Sequence, residues 1–441
     1  MKNLIALAYL LIISVPLFAQ SQATDITYNF GFENNTEGKE LPDKWIDLFP
    51  TENYTVKSVG DERHSGKSAA FIEQVKPGTT RSFGSISQKI PAKFLGKTIE
   101  FKAWMKMSNV TGYAMLTVRI DNAIPRVSEY KNLFGQNIKG TRDWAEYTLK
   151  VNIPIDAQTM YVSAVLNGPG KLWVDDAQIL IDGQDISTAK LNPDYDPNAI
   201  AYGYNTKASG KVKLKDATLY YETYGQGEPL LLLHGNGHEI YAYNFQIKDL
   251  AKKFKVIAVD TRGHGKSTDE SAGPLTYDLF AEDMRQLMDS LHIKRTNILG
   301  WSDGGNTGLI MAVKYPQYVN KLAIMGANLF PTTDALPDTV LNEVKQRIAY
   351  YKTKTDKASQ FKLRLSTLLL QEPHLTFDEI HKIKSPVLVM AGEHDLILEK
   401  HTRAIAQNIP KSKLIIFKGA SHYAPFEIPK VFTETVIAFM K

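Results

Sequence analysis

Ser302 lies between two glycines in Gly300-Trp301-Ser302-Asp303-Gly304. An apolar pair (Ile298 and Leu299) precedes it, and a helix-like segment (Thr307 to Tyr315) follows. A serine on so tight a strand-to-helix turn is held clear of the backbone, at a helix start whose dipole favours negative charge. A hydroxyl becomes nucleophilic only when a base takes its proton and a third group orients that base. Asp395 follows the apolar run from Val387 to Met390, and His422 follows Leu414-Ile415-Ile416-Phe417 through Lys418-Gly419-Ala420-Ser421. The order Ser302, Asp395, His422 suits attack on an acyl carbonyl, with His422 as base and Asp395 as its orienting partner. Glu393 is a rival for the acidic position. The other nine histidines are expected in structural or surface roles.

An attacked carbonyl develops negative charge on its oxygen, which two backbone N–H groups should meet. One is expected from Asp303. The other is expected from Asn236, in the loop His234-Gly235-Asn236-Gly237 that follows Leu231-Leu232-Leu233.

These residues need a scaffold that brings strand ends together. From Lys211 onward, continuous apolar runs alternate with amphipathic segments. The runs include Leu230 to Leu233, Val256 to Val259, Leu322 to Met325 and Val387 to Met390. Such runs suit strands buried on both faces of a parallel sheet, a doubly wound α/β domain over 211–441. Phe280, Met284, Leu287 and Met288 share one helical face, as do Phe432, Val436 and Met440. Residues 329–381 interrupt the alternation with helical patterning and are expected to form a short helical lid.

Residues 25–183 differ. Segments such as Thr98 to Met105 alternate with period two between turn residues, which predicts an antiparallel β-sandwich. Polar residues 184–210 read as a linker.

The second half resembles the α/β-hydrolase superfamily in His234-Gly235, the turn Asp260 to Ser267, the Ser302 turn, Gly392-Glu393-His394-Asp395 and Gly419-Ala420-Ser421-His422. Within it, Gly300 to Gly305 with Gly326-Ala327-Asn328 is similar to the valacyclovir-hydrolase (biphenyl-hydrolase-like) branch. That resemblance implies substrate binding by Trp301 and Asp303, with the Asp303 carboxylate meeting a substrate amino group. The alternative for Asp303 is that it complements the helix start and faces water. The chain departs from the branch in its oxyanion loop and in having a further domain.

Phe30-Gly31-Phe32-Glu33, His64 to Ala69 and Leu172 to Ala177 resemble galactose-binding-like jelly rolls, a fold shared with carbohydrate-binding modules. The resemblance implies carbohydrate as a candidate partner, with Glu33 and Asp176 as candidate ligands for a structural calcium ion. No cofactor is expected for catalysis.

Lys2, the apolar core from Leu4 to Ile13 and the small residue Ala19 form a secretory signal pattern over 1–19. The expectation is export to a bacterial periplasm or beyond, with no membrane span retained, since a span needs about 20 apolar residues. The 441 residues contain no cysteine, so no disulfide is available. A net charge of +5 without a long basic block disfavours nucleic-acid binding. The leading expectation is a serine hydrolase that cleaves small carboxylic esters. The alternatives are an amide or amino-ester hydrolase and a catalytically inactive glycan-binding protein.

Overall fold

The computed structural model describes residues 28–77, 82–124, 127–193 and 195–441. The signal pattern over 1–19 lies outside them. The chain divides into two compact units at Asn198 and Ala199.

The first unit is built from two antiparallel sheets. One has the order Trp45–Ile46, Gly84–Pro91, Thr159–Asn167, Tyr113–Asp121, Val127–Asn132. The other runs Tyr54–Val59, Ala69–Gln74, Lys171–Ile181, Thr98–Val110, Gly140–Asn152. Period-two alternation explains their packing. Ile99, Phe101, Ala103 and Met105 are buried while Glu100, Lys102 and Trp104 turn to the other face. Their buried side joins Ile86, Leu116 and Val162 of the five-stranded sheet in a single hydrophobic cluster. Trp45 belongs to that cluster, its indole N–H donating to the Asn29 carbonyl at 2.7 Å. Trp104 is half-buried and stacks on His64 with ring centroids 3.9 Å apart.

Residues 184–210 divide between the units. Ile186 and Ala189 join the first unit's core, and Tyr202 joins a core of the second. Glu222 accepts the N–H groups of Gly203 at 2.6 Å and Asn205 at 2.8 Å.

The second unit is a sheet flanked by helices. Its strands are β1 (Ser209–Lys213), β2 (Ala217–Tyr224), β3 (Pro229–Leu233), β4 (Lys255–Asp260), β5 (Thr296–Trp301), β6 (Val319–Met325), β7 (Val387–His394) and β8 (Ser412–Ser421). The order is β1-β2-β4-β3-β5-β6-β7-β8. Pairings from β4 to β8 are parallel, and the two at the β1 end are antiparallel. The helices are α1 (Asn244–Leu250), α2 (Tyr277–Ser290), α3 (Asp303–Lys314), α4 (Asp338–Lys352), α5 (Lys357–Gln371), α6 (Phe377–His381), α7 (Glu399–Asn408), α8 (Ala424–Glu427) and α9 (Pro429–Met440).

The apolar runs feed two cores at once. Leu231 and Leu233 join a cluster with Phe280, Met284 and Leu287 of α2, whereas Leu230 and Leu232 join one with Phe432 and Val436 of α9. Successive residues of a buried strand thus serve opposite faces, which is why no polar alternation appears. The Thr276 side chain caps α2 by accepting the Leu279 N–H at 3.0 Å. Among the described residues, no helix is long and apolar enough to cross a membrane.

Candidate active site

Ser302 occupies the junction of β5 and α3, with φ 56° and ψ −118°. That backbone is held by the Ser302 N–H donating to the Met325 carbonyl at 2.8 Å and by the flanking glycines. A Cβ on Gly304 would stand 1.9 Å from the Leu233 carbonyl oxygen, and one on Gly300 would stand 2.2 Å from that of Gly304. Only residues without side chains let strand and helix approach so closely.

Asp395 follows β7 and His422 follows β8, so both reach the same sheet edge as Ser302. His422 Nε2 is 3.0 Å from Ser302 Oγ, and Nδ1 is 2.7 Å from Asp395 Oδ1. The Asp395 carboxylate also accepts the Ile397 N–H at 3.0 Å and the Gly392 N–H at 3.2 Å. The His422 and Asp395 side chains are 8% and 2% exposed. Glu393 is exposed and accepts the Gly419 N–H at 2.7 Å, turned to a different partner. The Trp301 indole N–H donates to the His422 carbonyl at 2.8 Å.

Both candidate oxyanion donors flank this group. The backbone N–H groups of Asn236 and Asp303 have no hydrogen-bond partner among the described residues. The Asn236 side chain donates to Asp303 Oδ2 at 2.9 Å and to the Leu365 carbonyl of α5 at 3.4 Å. Asp303 does not face water. It is 5% exposed, and its other carboxylate oxygen accepts the Tyr277 hydroxyl at 2.8 Å. Burial pushes its carboxyl above the usual range, opposed by the hydrogen bonds from Asn236 and Tyr277.

A cavity of about 170 Å³ opens on Ser302, lined on the sheet side by Asn236, Trp301, Asp303 and His422. Helices α4 and α5 supply Leu341, Val344, Arg347 and Leu369, with Glu372 just beyond α5. The apolar side chains of Leu341, Val344 and Leu369 beside a hydrogen-bonded Ser-His-Asp line can hold an acyl group against an activated hydroxyl.

Tyr277 carried no signal in the linear pattern. Gly326 stood in a quoted motif without an assigned role. With φ 62°, it sits where a Cβ would come within 2.6 Å of the His422 ring.

In the first unit, Glu33 and Asp176 brace one turn. Glu33 accepts the Lys67 N–H with both oxygens, at 3.0 and 2.8 Å. Asp176 lies 2.7 Å from His64 Nδ1 and accepts the Ser65 hydroxyl at 2.8 Å. The turn's own donors thus engage both carboxylates. Among the described residues, no group of three or more His, Cys, Asp or Glu side chains is placed to hold a metal ion.

Residues 228–352 match the family described as alpha/beta hydrolase fold. The serine hydrolase BPHL of Homo sapiens is 30% identical over 245 residues, spanning 51% of this chain and 83% of that protein. The chain belongs to the alpha/beta hydrolase family. It is a hydrolase. The Mus musculus BPHL is also 30% identical, over 258 residues, 53% of this chain and 86% of that one. A 2-hydroxy-6-oxononadienedioate/2-hydroxy-6-oxononatrienedioate hydrolase of Burkholderia vietnamiensis is 26% identical over 261 residues, covering 51% and 91%. The matched family segment of the hydrolase carries Ser302 and Asn236, and it ends before Asp395 and His422.

Proposed function

We propose that this hydrolase cleaves small carboxylic esters through an acyl-enzyme on Ser302. The observation that carries the reading is the unbroken hydrogen-bonded line from Ser302 Oγ through His422 to Asp395. Nε2 of His422 takes the hydroxyl proton as Oγ attacks the acyl carbon, and the ring returns that proton to the departing alcohol. Water, deprotonated by the same nitrogen, then releases the acid. Asp395 holds the ring proton on Nδ1 and stabilises the imidazolium. The N–H groups of Asn236 and Asp303 receive the charge on the former carbonyl oxygen. Helices α4 and α5 act as the lid, selecting the acyl or alcohol group by their apolar wall.

Ser302→Ala should lower kcat by about 10^4-fold or more while the thermal unfolding profile is retained. A fluorophosphonate should label the parent at Ser302 alone. Parental ester turnover by Ser302→Ala would overturn the assignment, and an unreactive parent would favour the inactive glycan-binding alternative.

Asp303 favours a second reading, in which the substrate bears an amine as amino esters and amides do. Its support is a buried carboxylate on the cavity wall beside the nucleophile. Matched esters and amides with and without a free amine, compared between parent and Asp303→Asn, decide between the readings. The Asn variant should lose the preference for the amine-bearing member.

The first unit we read as a galactose-binding-like jelly roll that binds carbohydrate. We also propose export with cleavage after Ala19, to the periplasm or beyond. Glycan-array binding by the full chain and N-terminal sequencing of the mature protein test these readings.

A further inference from the structure

The turn between β4 and the short strand Thr268–Asp269 contains His264, a residue the proposed chemistry leaves without a role. His264 is 5% exposed, and its Nε2 accepts the Gly237 N–H at 3.2 Å. A nitrogen that accepts carries no proton, so the ring proton resides on Nδ1, 3.0 Å from the Arg262 carbonyl that receives it. Thr261 Oγ1 joins this ring to that of His234, at 3.1 Å from His264 Nδ1 and 3.2 Å from His234 Nε2. His234 in turn has Nδ1 2.8 Å from the Gly235 carbonyl.

The oxyanion loop is therefore held on both sides of Asn236. Gly235 is tied through its carbonyl and Gly237 through its N–H, while the Asn236 N–H between them has no hydrogen-bond partner among the described residues. Gly237 adopts φ 70°, a state open to glycine without steric cost but only one of many it can reach, so the hydrogen bond to His264 selects it. Phe361 of α5 packs edge-on against His264 at 5.6 Å, fixing the ring from the lid side.

We propose that His264 is a positioning residue for hydrolysis: its Nε2 anchors Gly237 and thereby keeps the Asn236 N–H available to the acyl oxygen. This rests on the Ser302-centred reading above. The test uses the full chain, with p-nitrophenyl acetate as the ester and a methyl trifluoromethyl ketone as the tetrahedral probe. His264→Leu removes the acceptor, and His264→Gln returns one near the Nε2 position.

The Leu variant should lose kcat by about 10- to 100-fold at little changed KM, with a parallel loss of affinity for the ketone. The Gln variant should recover most of both. A folded Leu variant with parental kcat, or a Gln variant as impaired as Leu, would overturn the proposal. Should the Leu variant not fold, nitrogen-15 NMR of the parent's imidazole decides. A proton on Nδ1 with Nε2 accepting is expected, and a proton on Nε2 refutes it. Fluorophosphonate labelling of the parent separates the two levels: failure there removes the Ser302 reading, whereas failure of the variants alone removes only the role of His264.

Discussion

The Trp301 indole N–H donates to the main-chain carbonyl of His422 at 2.8 Å, so the residue before the nucleophile holds the segment that carries the base. The ring is 1% exposed and packs against His238 and Phe426, with centroids 4.7 and 5.4 Å away. Trp301→Phe keeps most of this packing and leaves the carbonyl unpaired. It should cost about 1–3 kcal/mol of stability. The displaced imidazole should lower kcat by about tenfold, with KM little changed. Denaturant unfolding and steady-state ester hydrolysis measure the two effects.

Asp395 and Glu393 differ by two positions, yet only Asp395 touches His422. Asp395→Asn should reduce kcat by about 10^4-fold, because an amide stabilises neither the required tautomer nor the imidazolium. Glu393→Gln should leave kcat near parental. Equal losses in the two variants would contradict the assignment.

Much of this arrangement was legible in the residue pattern. Apolar runs of four residues marked most of the sheet, and the strand-end chemistry followed from the residues after those runs and their chain order. What the pattern could not show depended on partners far apart in sequence. The surroundings of Asp303 are supplied by Asn236 and Tyr277, which are 67 and 26 positions away. No local periodicity encodes that meeting, so one alternative placed the carboxylate in water. The turn at 64–67 was likewise invisible as the common partner of Glu33 and Asp176. Residues 184–210 looked uniform in composition, whereas their sparse apolar members, Ile186, Ala189 and Tyr202, anchor them to different cores.

Arg262 is 2% exposed and makes paired hydrogen bonds to Asp283, at 2.8 and 2.7 Å, with a further one to Asp216 at 2.7 Å. Arg262→Met strands a buried carboxylate and should destabilise the second unit by about 3–5 kcal/mol. Arg262→Lys should rescue little, since a single ammonium cannot satisfy the paired geometry. Adding Asp283→Leu to Arg262→Met should recover part of the loss. Urea unfolding followed by tryptophan fluorescence reads all three.

Burial holds the His264 and His401 rings at about 4, below the ordinary 6.5. The neutral ring is the folded form in each case. His401 Nε2 accepts the Leu329 N–H at 3.0 Å, and protonation would abolish that acceptor. A depressed histidine contributes stability that is present above pH 6.5 and is lost as pH falls towards 4. The unfolding free energy should therefore drop across that window, by at most about 1.4 kcal/mol per pH unit for each ring. His401→Gln should flatten the slope, and an unchanged slope would exclude His401 as a contributor.

The 1.9 Å that would separate a Cβ at position 304 from the Leu233 oxygen has a mechanical meaning. Leu233 is the last residue of β3, immediately before the loop that carries Asn236. A methyl group inserted there would act as a wedge whose thrust passes straight into that loop. Damage introduced on the nucleophile's side would then surface as poorer reception of charge on the acyl oxygen, although neither Ser302 nor Asn236 had been altered.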